Sequence, residues 1–186
     1  MSKLFKIVKD SVPSLRERCQ IVEDPSDPQI IALINEMHDY LVLSQDDEYR
    51  EKHNIREGVG LAAPQIGKNL RMLVVYFKEN TENGERIVDH RLINPKIVSE
   101  SVKKVALEAG EGCLSVDNEH PGYVYRSAKI IVKAFDARQM KEVFVTARGY
   151  EAIVLQHELD HLDGVLYYDH INKKDPYVRL ENSELL

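Results

Sequence analysis

Apolar residues recur at helical spacing over residues 28–44, where Ile30, Ile31, Leu33, Ile34, Met37, Leu41 and Val42 gather on one side of a 3.6-residue repeat and Pro28 takes the first turn. This stretch reads as an amphipathic scaffold helix. Residues 46–53 are charged throughout and carry no such stripe; they read as a short exposed helix, an ordered insertion or a solvated connector, the last being favoured. The pattern then changes. Arg71-Met-Leu-Val-Val-Tyr-Phe77 is apolar and β-branched, residues 81–85 have the composition of a hairpin turn, and further strands are expected over 96–107, 123–134 and 142–147. Alternation is clearest in Lys129-Ile-Ile-Val-Lys-Ala-Phe135 and Val143-Phe-Val145, with 136–141 as the turn between them. A second helix is predicted over 149–163, closed by Gly164 where a left-handed cap is favoured. Ala152-Ile-Val-Leu155 is apolar around a full turn, which places this helix in the interior. The elements together predict an α+β fold: antiparallel β-sheets packed around a central buried helix. No repeat, low-complexity tract or linker interrupts residues 1–186, so a single catalytic domain is expected.

Composition narrows the function classes. The chain of 186 residues is 43% hydrophobic and 30% charged, and no apolar run approaches the ~20 residues needed to span a bilayer. Lys3, Lys6 and Lys9 interrupt the N-terminal apolar residues, so no signal peptide is read and cytoplasmic residence is expected. A net charge of −6 without any basic run argues against direct nucleic-acid binding. Cys19 is expected to pack as a small hydrophobe, and a disulfide with Cys113 is not.

The candidate chemistry lies in the second helix. In Gln156-His-Glu-Leu-Asp-His161, His157 and His161 fall one above the other on one face while Glu158 projects about 100° around the axis. Two ligands and a proton carrier therefore come from one turn. A surface helix with two incidental histidines would show the same spacing, but a buried one needs partners for these groups. A catalytic metal usually takes three protein ligands and leaves a position for water. Cys113, flanked by Gly110 and Gly112 in Glu111-Gly-Cys-Leu-Ser115, is the candidate third; a buried core thiol is the alternative. Gly58-Val-Gly-Leu-Ala-Ala-Pro-Gln-Ile-Gly67 is too rich in small residues for an ordinary element and lacks the Lys-Ser/Thr ending of a phosphate loop. Its small residues allow close approach of a substrate backbone, and the Gln65 amide suits a developing oxyanion.

These three segments, in this order across residues 58–164, resemble the peptide deformylases, which remove the formyl group from the N-terminal methionine of nascent polypeptides. The charged insertion before the first motif and residues 116–126 after the second resemble the longer type found in Gram-positive bacteria. The resemblance implies Cys113, His157 and His161 as ligands of ferrous iron, with water completing the site. Glu158 would take the proton from that water and pass it to the departing amine. Gln65 and the backbone amide of Leu114 would stabilise the oxyanion, and Gly60 would pair its backbone with the substrate. It further implies nascent formyl-methionyl chains as the partner and, through them, transient contact with the ribosome, for which the short tail after Asn172 carries no signature. No membrane partner is expected.

The residues themselves support such chemistry. Water on a divalent cation has its pKa lowered toward ~7, within reach of a neighbouring carboxylate at neutral pH. Helical spacing places Ile153 and Val154 one turn before His157 and Tyr150 two turns before it; with Val59 and Leu114 these form the expected methionine pocket, worth ~1.5–3 kcal/mol on full burial. Asp160 is expected to pair with Arg126, and Glu111 to orient Gln65 or Arg126. Zinc, nickel or cobalt would fit the same donors as iron. Two other readings share the motif: a zinc peptidase, which usually draws a His or Glu as third ligand, and a non-catalytic metal module, which normally closes its site with four protein ligands.

Overall fold

The computed structural model describes residues 4–82 and 84–186. Asn83, in the expected 81–85 turn, and the first three residues of the N-terminal segment lie outside the described residues. The helices are α1 (Pro28–Leu43), α2 (Asp47–His53) and α3 (Gly149–Leu162). The strands are β1 (Gly60–Ala62), β2 (Met72–Thr81), β3 (Gly84–Glu100), β4 (Lys104–Ala106), β5 (Arg126–Ser127), β6 (Lys129–Asp136), β7 (Lys141–Arg148) and β8 (Ser183–Leu185). One sheet runs β1-β2-β3-β6-β7, antiparallel throughout; the smaller runs β5-β4-β8, its β4–β8 pair parallel.

The apolar run of β2 serves two cores. Leu73, Val75 and Phe77 pack with Ile130, Val132, Ala134 and the α3 residues Ala152, Leu155 and Leu159. Met72 and Val74, one register step away, face Ile34, Met37 and Leu41 of α1. A strand covered on both faces loses alternation and reads as continuous hydrophobicity. Cys19 lies in the first of these cores, where burial pushes its thiol up to about 11.

α3 packs against β1, β2 and β7 of one sheet and β4 and β5 of the other, and ten of its fourteen residues are buried, which makes it the interior helix its apolar turn predicted. It ends at Gly164, whose φ of +74° only glycine adopts readily and whose Cβ would collide with the backbone of Arg16.

Several expectations shift. At residues 46–53 the short exposed helix, rather than the favoured connector, is what forms: α2 is capped by Asp46 Oδ1 accepting from Tyr49 N at 2.7 Å and ended by Asn54 at φ 49°. None of its residues is buried, so no apolar stripe marks it. The strand expected from 96 to 107 begins earlier, at Gly84, and breaks at 101–103 before β4. Its register slips between Ile93 and Lys96, where Pro95 has no N–H to give and Asn94 turns at φ 53°. The Asn94 side chain holds that bulge by bonding both Val22 N (2.9 Å) and Val22 O (2.8 Å). The strand expected over 123–134 begins only at Arg126 and breaks between β5 and β6. The turn into β7 is tied by Asp136 Oδ1, which accepts from Arg138 N at 2.8 Å and Gln139 N at 3.2 Å.

Candidate active site

Three stretches distant in sequence meet at one cavity of about 330 Å³. α3 brings His157, Glu158, Tyr150, Ile153 and Val154; the irregular segment between β4 and β5 brings Cys113 and Leu114; β1 and the turn after it bring Gly60 and Gln65, with Val59 just before. All of these line the cavity. His161 lies behind it, 1% exposed. β1 is the edge strand of its sheet.

Cys113, His157 and His161 offer ligand atoms within 4.8 Å of one another, and Cys113 Sγ lies 3.3 Å from His161 Nε2. Tetrahedral bonds of ~2.0–2.3 Å require donors about 3.3–3.8 Å apart; Cys113 and His161 already stand at that spacing, and only the wider separations need to shorten. His157 Nδ1 is engaged by Glu111 Oε2 at 2.8 Å, which leaves Nε2 as its ligand atom. The donor set therefore fits a divalent cation. It comprises three residues, rather than the four that usually close a structural site.

Behind His157 runs a chain of charges, from the buried Glu111 and Arg126 side chains to half-buried Asp160 and exposed His170. Glu111 accepts from Arg126 Nε at 2.5 Å and Nη2 at 2.9 Å, Arg126 Nη1 donates to Asp160 Oδ2 at 2.9 Å, and His170 Nε2 meets the same oxygen at 2.8 Å. The expected Asp160–Arg126 pair is present. Glu111 orients His157 and Arg126, and Gln65 has other partners. Burial pushes the Glu111 carboxyl up, but hydrogen bonds from His157 and Arg126 outweigh it and hold it at about 2. Burial likewise disfavours charged His157, yet the neighbouring Cys113 and Glu111 hold it well above the ordinary imidazole value. His161, buried and beside His157, is pushed well below.

Glu158 is 4% exposed and its Oε2 has no protein partner among the described residues. Burial pushes its carboxyl up to about 7, opposed by His157 and Arg126. Gly60 sits against it closely enough that a Cβ there would fall 2.7 Å from Glu158 Cδ. Gln65 Oε1 accepts from Ala62 N at 2.8 Å, and its Nε2 lies 3.2 Å from Ser115 Oγ and 3.6 Å from Cys113 Sγ. The Leu114 carbonyl accepts from Lys9 Nζ at 3.1 Å. Tyr150 stands half-open at the rim, edge-on to Phe77 at 5.0 Å.

Arg56, Glu57, Leu107 and Gly112 also line the cavity, and Ser115 supports it from behind; sequence reading missed all five. Gly112 and Ser115 carried a signal, as members of the Cys113 segment. The others are placed by loop paths that have no periodicity.

A family model described as polypeptide deformylase matches residues 4–177. A peptide deformylase of Macrococcus caseolyticus is 46% identical over 176 residues, covering 95% of this chain and 94% of that protein. Peptide deformylase 2 of Bacillus cereus is 43% identical over 186 residues, covering 100% and 99%. Among solved structures, peptide deformylase from Ehrlichia chaffeensis superposes with a TM-score of 0.74 at 31% identity, covering 92% of this chain and 90% of that one. A Met-Ala-Ser-bound class I type b peptide deformylase from Acinetobacter baumannii gives 0.72 at 26% identity, covering 92% and 100%.

Proposed function

Given that the chain belongs to the polypeptide deformylase family, hydrolases that remove the N-formyl group from nascent peptides, we propose that it does so as a metal-dependent enzyme whose working groups are those gathered at the cavity. In this reading Cys113 Sγ, His157 Nε2 and His161 Nε2 hold a divalent cation, ferrous iron in the cell, with zinc, nickel or cobalt able to replace it. When bound, that cation polarises a carbonyl and lowers the pKa of water toward ~7.

Glu158 accepts the proton of the attacking water on its carboxylate and returns it to the departing amine nitrogen. Gln65 Nε2–H and the Leu114 backbone N–H donate to the oxyanion that develops on the formyl oxygen. Gly60 offers backbone N–H and C=O at the free edge of β1, so the peptide enters as an added strand. Val59, Leu114, Tyr150, Ile153 and Val154 receive the methionine side chain and keep water from the reacting centre. The buried Glu111–Arg126–Asp160 chain keeps His157 Nδ1 hydrogen-bonded and its ring fixed. The whole chain acts as one catalytic domain, in the cytoplasm, with transient ribosome contact as nascent chains emerge.

The observation that carries this reading is the buried Glu158 carboxylate, one oxygen without a protein partner among the described residues, beside three donors within 4.8 Å of one another at an open cavity. Glu158→Ala tests it. Formate release should fall by at least ~10²-fold with metal per chain unchanged. Retained turnover would overturn the role of Glu158, and metal lost together with activity would point to a structural cation. Anaerobic purification with metal analysis and assay on a formyl-methionyl peptide identifies the ion.

A further inference from the structure

We propose that Ser115 is a positioning residue that fixes the orientation of the Gln65 amide; the role rests on the reading of Gln65 as an oxyanion donor. The two ends of that amide have different partners. Oε1 accepts from Ala62 N at 2.8 Å, and Nε2 lies 3.2 Å from Ser115 Oγ. Reversing the amide would set its NH2 against the Ala62 N–H and its carbonyl oxygen toward Cys113 Sγ, a donor facing a donor and an acceptor facing an acceptor.

Ala62 alone is not sufficient. The last torsion of a glutamine side chain is broad, so one bond at the oxygen leaves the nitrogen free to swing. Ser115 Oγ supplies the second point. It takes one of the two Nε2 hydrogens; the other meets only the long contact to Cys113 Sγ, which an oxygen in the cavity that Gln65 lines can replace. Nε2 also lies 3.6 Å from Cys113 Sγ, and without Ser115 it would be free to turn wholly onto that acceptor, away from a substrate oxygen.

Ser115 is 0% exposed and does not line the cavity, so it acts through Gln65 and does not touch substrate. Its backbone is held independently: Ser115 N donates to Cys113 Sγ at 3.4 Å and Ser115 O accepts from Asp10 N at 2.9 Å. Removing only the hydroxyl therefore leaves the loop and the backbone bond to Cys113 Sγ in place.

The test compares kcat and KM on a formyl-methionyl peptide for wild type, S115A, Q65A and S115A/Q65A, with cobalt titration of each metal-free protein followed by thiolate-to-cobalt absorption. S115A should lower kcat about tenfold, the equivalent of one orienting hydrogen bond, with KM within about twofold. In the Q65A background the same change should add nothing. Cobalt affinity and absorption should match wild type. Full kcat in S115A beside an impaired Q65A would overturn the proposal, as would an equal loss from S115A in both backgrounds, or weaker cobalt binding that accounts for the loss. Full kcat in Q65A would overturn the reading of Gln65 itself, and the role of Ser115 with it.

Discussion

A methyl group added at Gly60 would occupy space already taken by Glu158. An ideal Cβ there falls against Oε1, 2.7 Å from Cδ and 2.8 Å from Cγ, whereas carbon atoms in contact prefer ~3.5–4.0 Å. The carboxylate must retreat by about 0.7–1.3 Å from the place it holds in the cavity lining. Gly60 has no left-handed φ, so alanine brings no backbone strain, and the residue keeps its pairing with Val75. The substitution therefore displaces the proton carrier with little else changed. A misplacement of ~1 Å costs about 10²-fold in rate. In Gly60→Ala, kcat for formate release should fall by about that factor, with metal per chain unchanged and KM within about threefold, because residue 60 keeps its backbone donor and acceptor. Measuring initial rates together with metal content decides it. A kcat within about threefold of wild type would refute the proposed placement of Glu158, and a parallel loss of metal would show that the damage lay in the ligands.

Other outcomes follow from the same contacts. Ile153→Ala, at a 2% exposed position lining the cavity, should lower kcat/KM about tenfold for formyl-methionyl over formyl-alanyl peptides; an unchanged ratio would remove Ile153 from the methionine pocket. Glu111→Gln should weaken metal binding about 10–100-fold. Unfolding of the metal-free protein should also show a loss of about 3 kcal/mol, because Arg126 loses a buried partner; unaltered affinity would count against the orienting role. Glu151, 3% exposed, accepts from Arg86 Nη2 at 2.5 Å and meets His90 Nε2 at 2.7 Å. Burial raises its carboxyl, but hydrogen bonds from His90 and Arg86 outweigh that and hold it below 4.5. A folded-state pKa below the unfolded one gives stability that is present above about pH 4.5 and lost as pH falls through the folded value. The Tm difference between wild type and Glu151→Gln should thus be constant near neutrality and close in acid; a gap that widened in acid would contradict the sign.

Local patterns were legible wherever one face of an element is buried. The α1 stripe, the apolar turn of α3 and the alternation of β6 each follow from period 3.6 or period 2 meeting a core. α2 could not be told from a connector, because no residue of it is buried and its cap is a single side-chain bond. The distal half of the β2–β3 hairpin was missed for a related reason: Lys78 and residues 81–82 and 84–87 are exposed, so alternation has little to report there. Glu111 was expected near Gln65 or Arg126, and it holds Arg126 and His157, a partner 46 positions along the chain.

The sequence by itself determined the family, the α+β class and the chemistry on offer, since the two histidines and Glu158 depend only on helix geometry and Cys113 and Gln65 lie in short motifs. What only the tertiary structure decided is how those groups address one another. The packing brings β1 with the turn after it and the segment between β4 and β5 together beside α3. That packing turns Gly60 into a wall for Glu158, Glu111 into the partner of His157, and Ser115 into the second support of the Gln65 amide. The physical reason is separation: contacts between residues 46 to 98 positions apart are fixed by how elements pack, and no period along the chain records them.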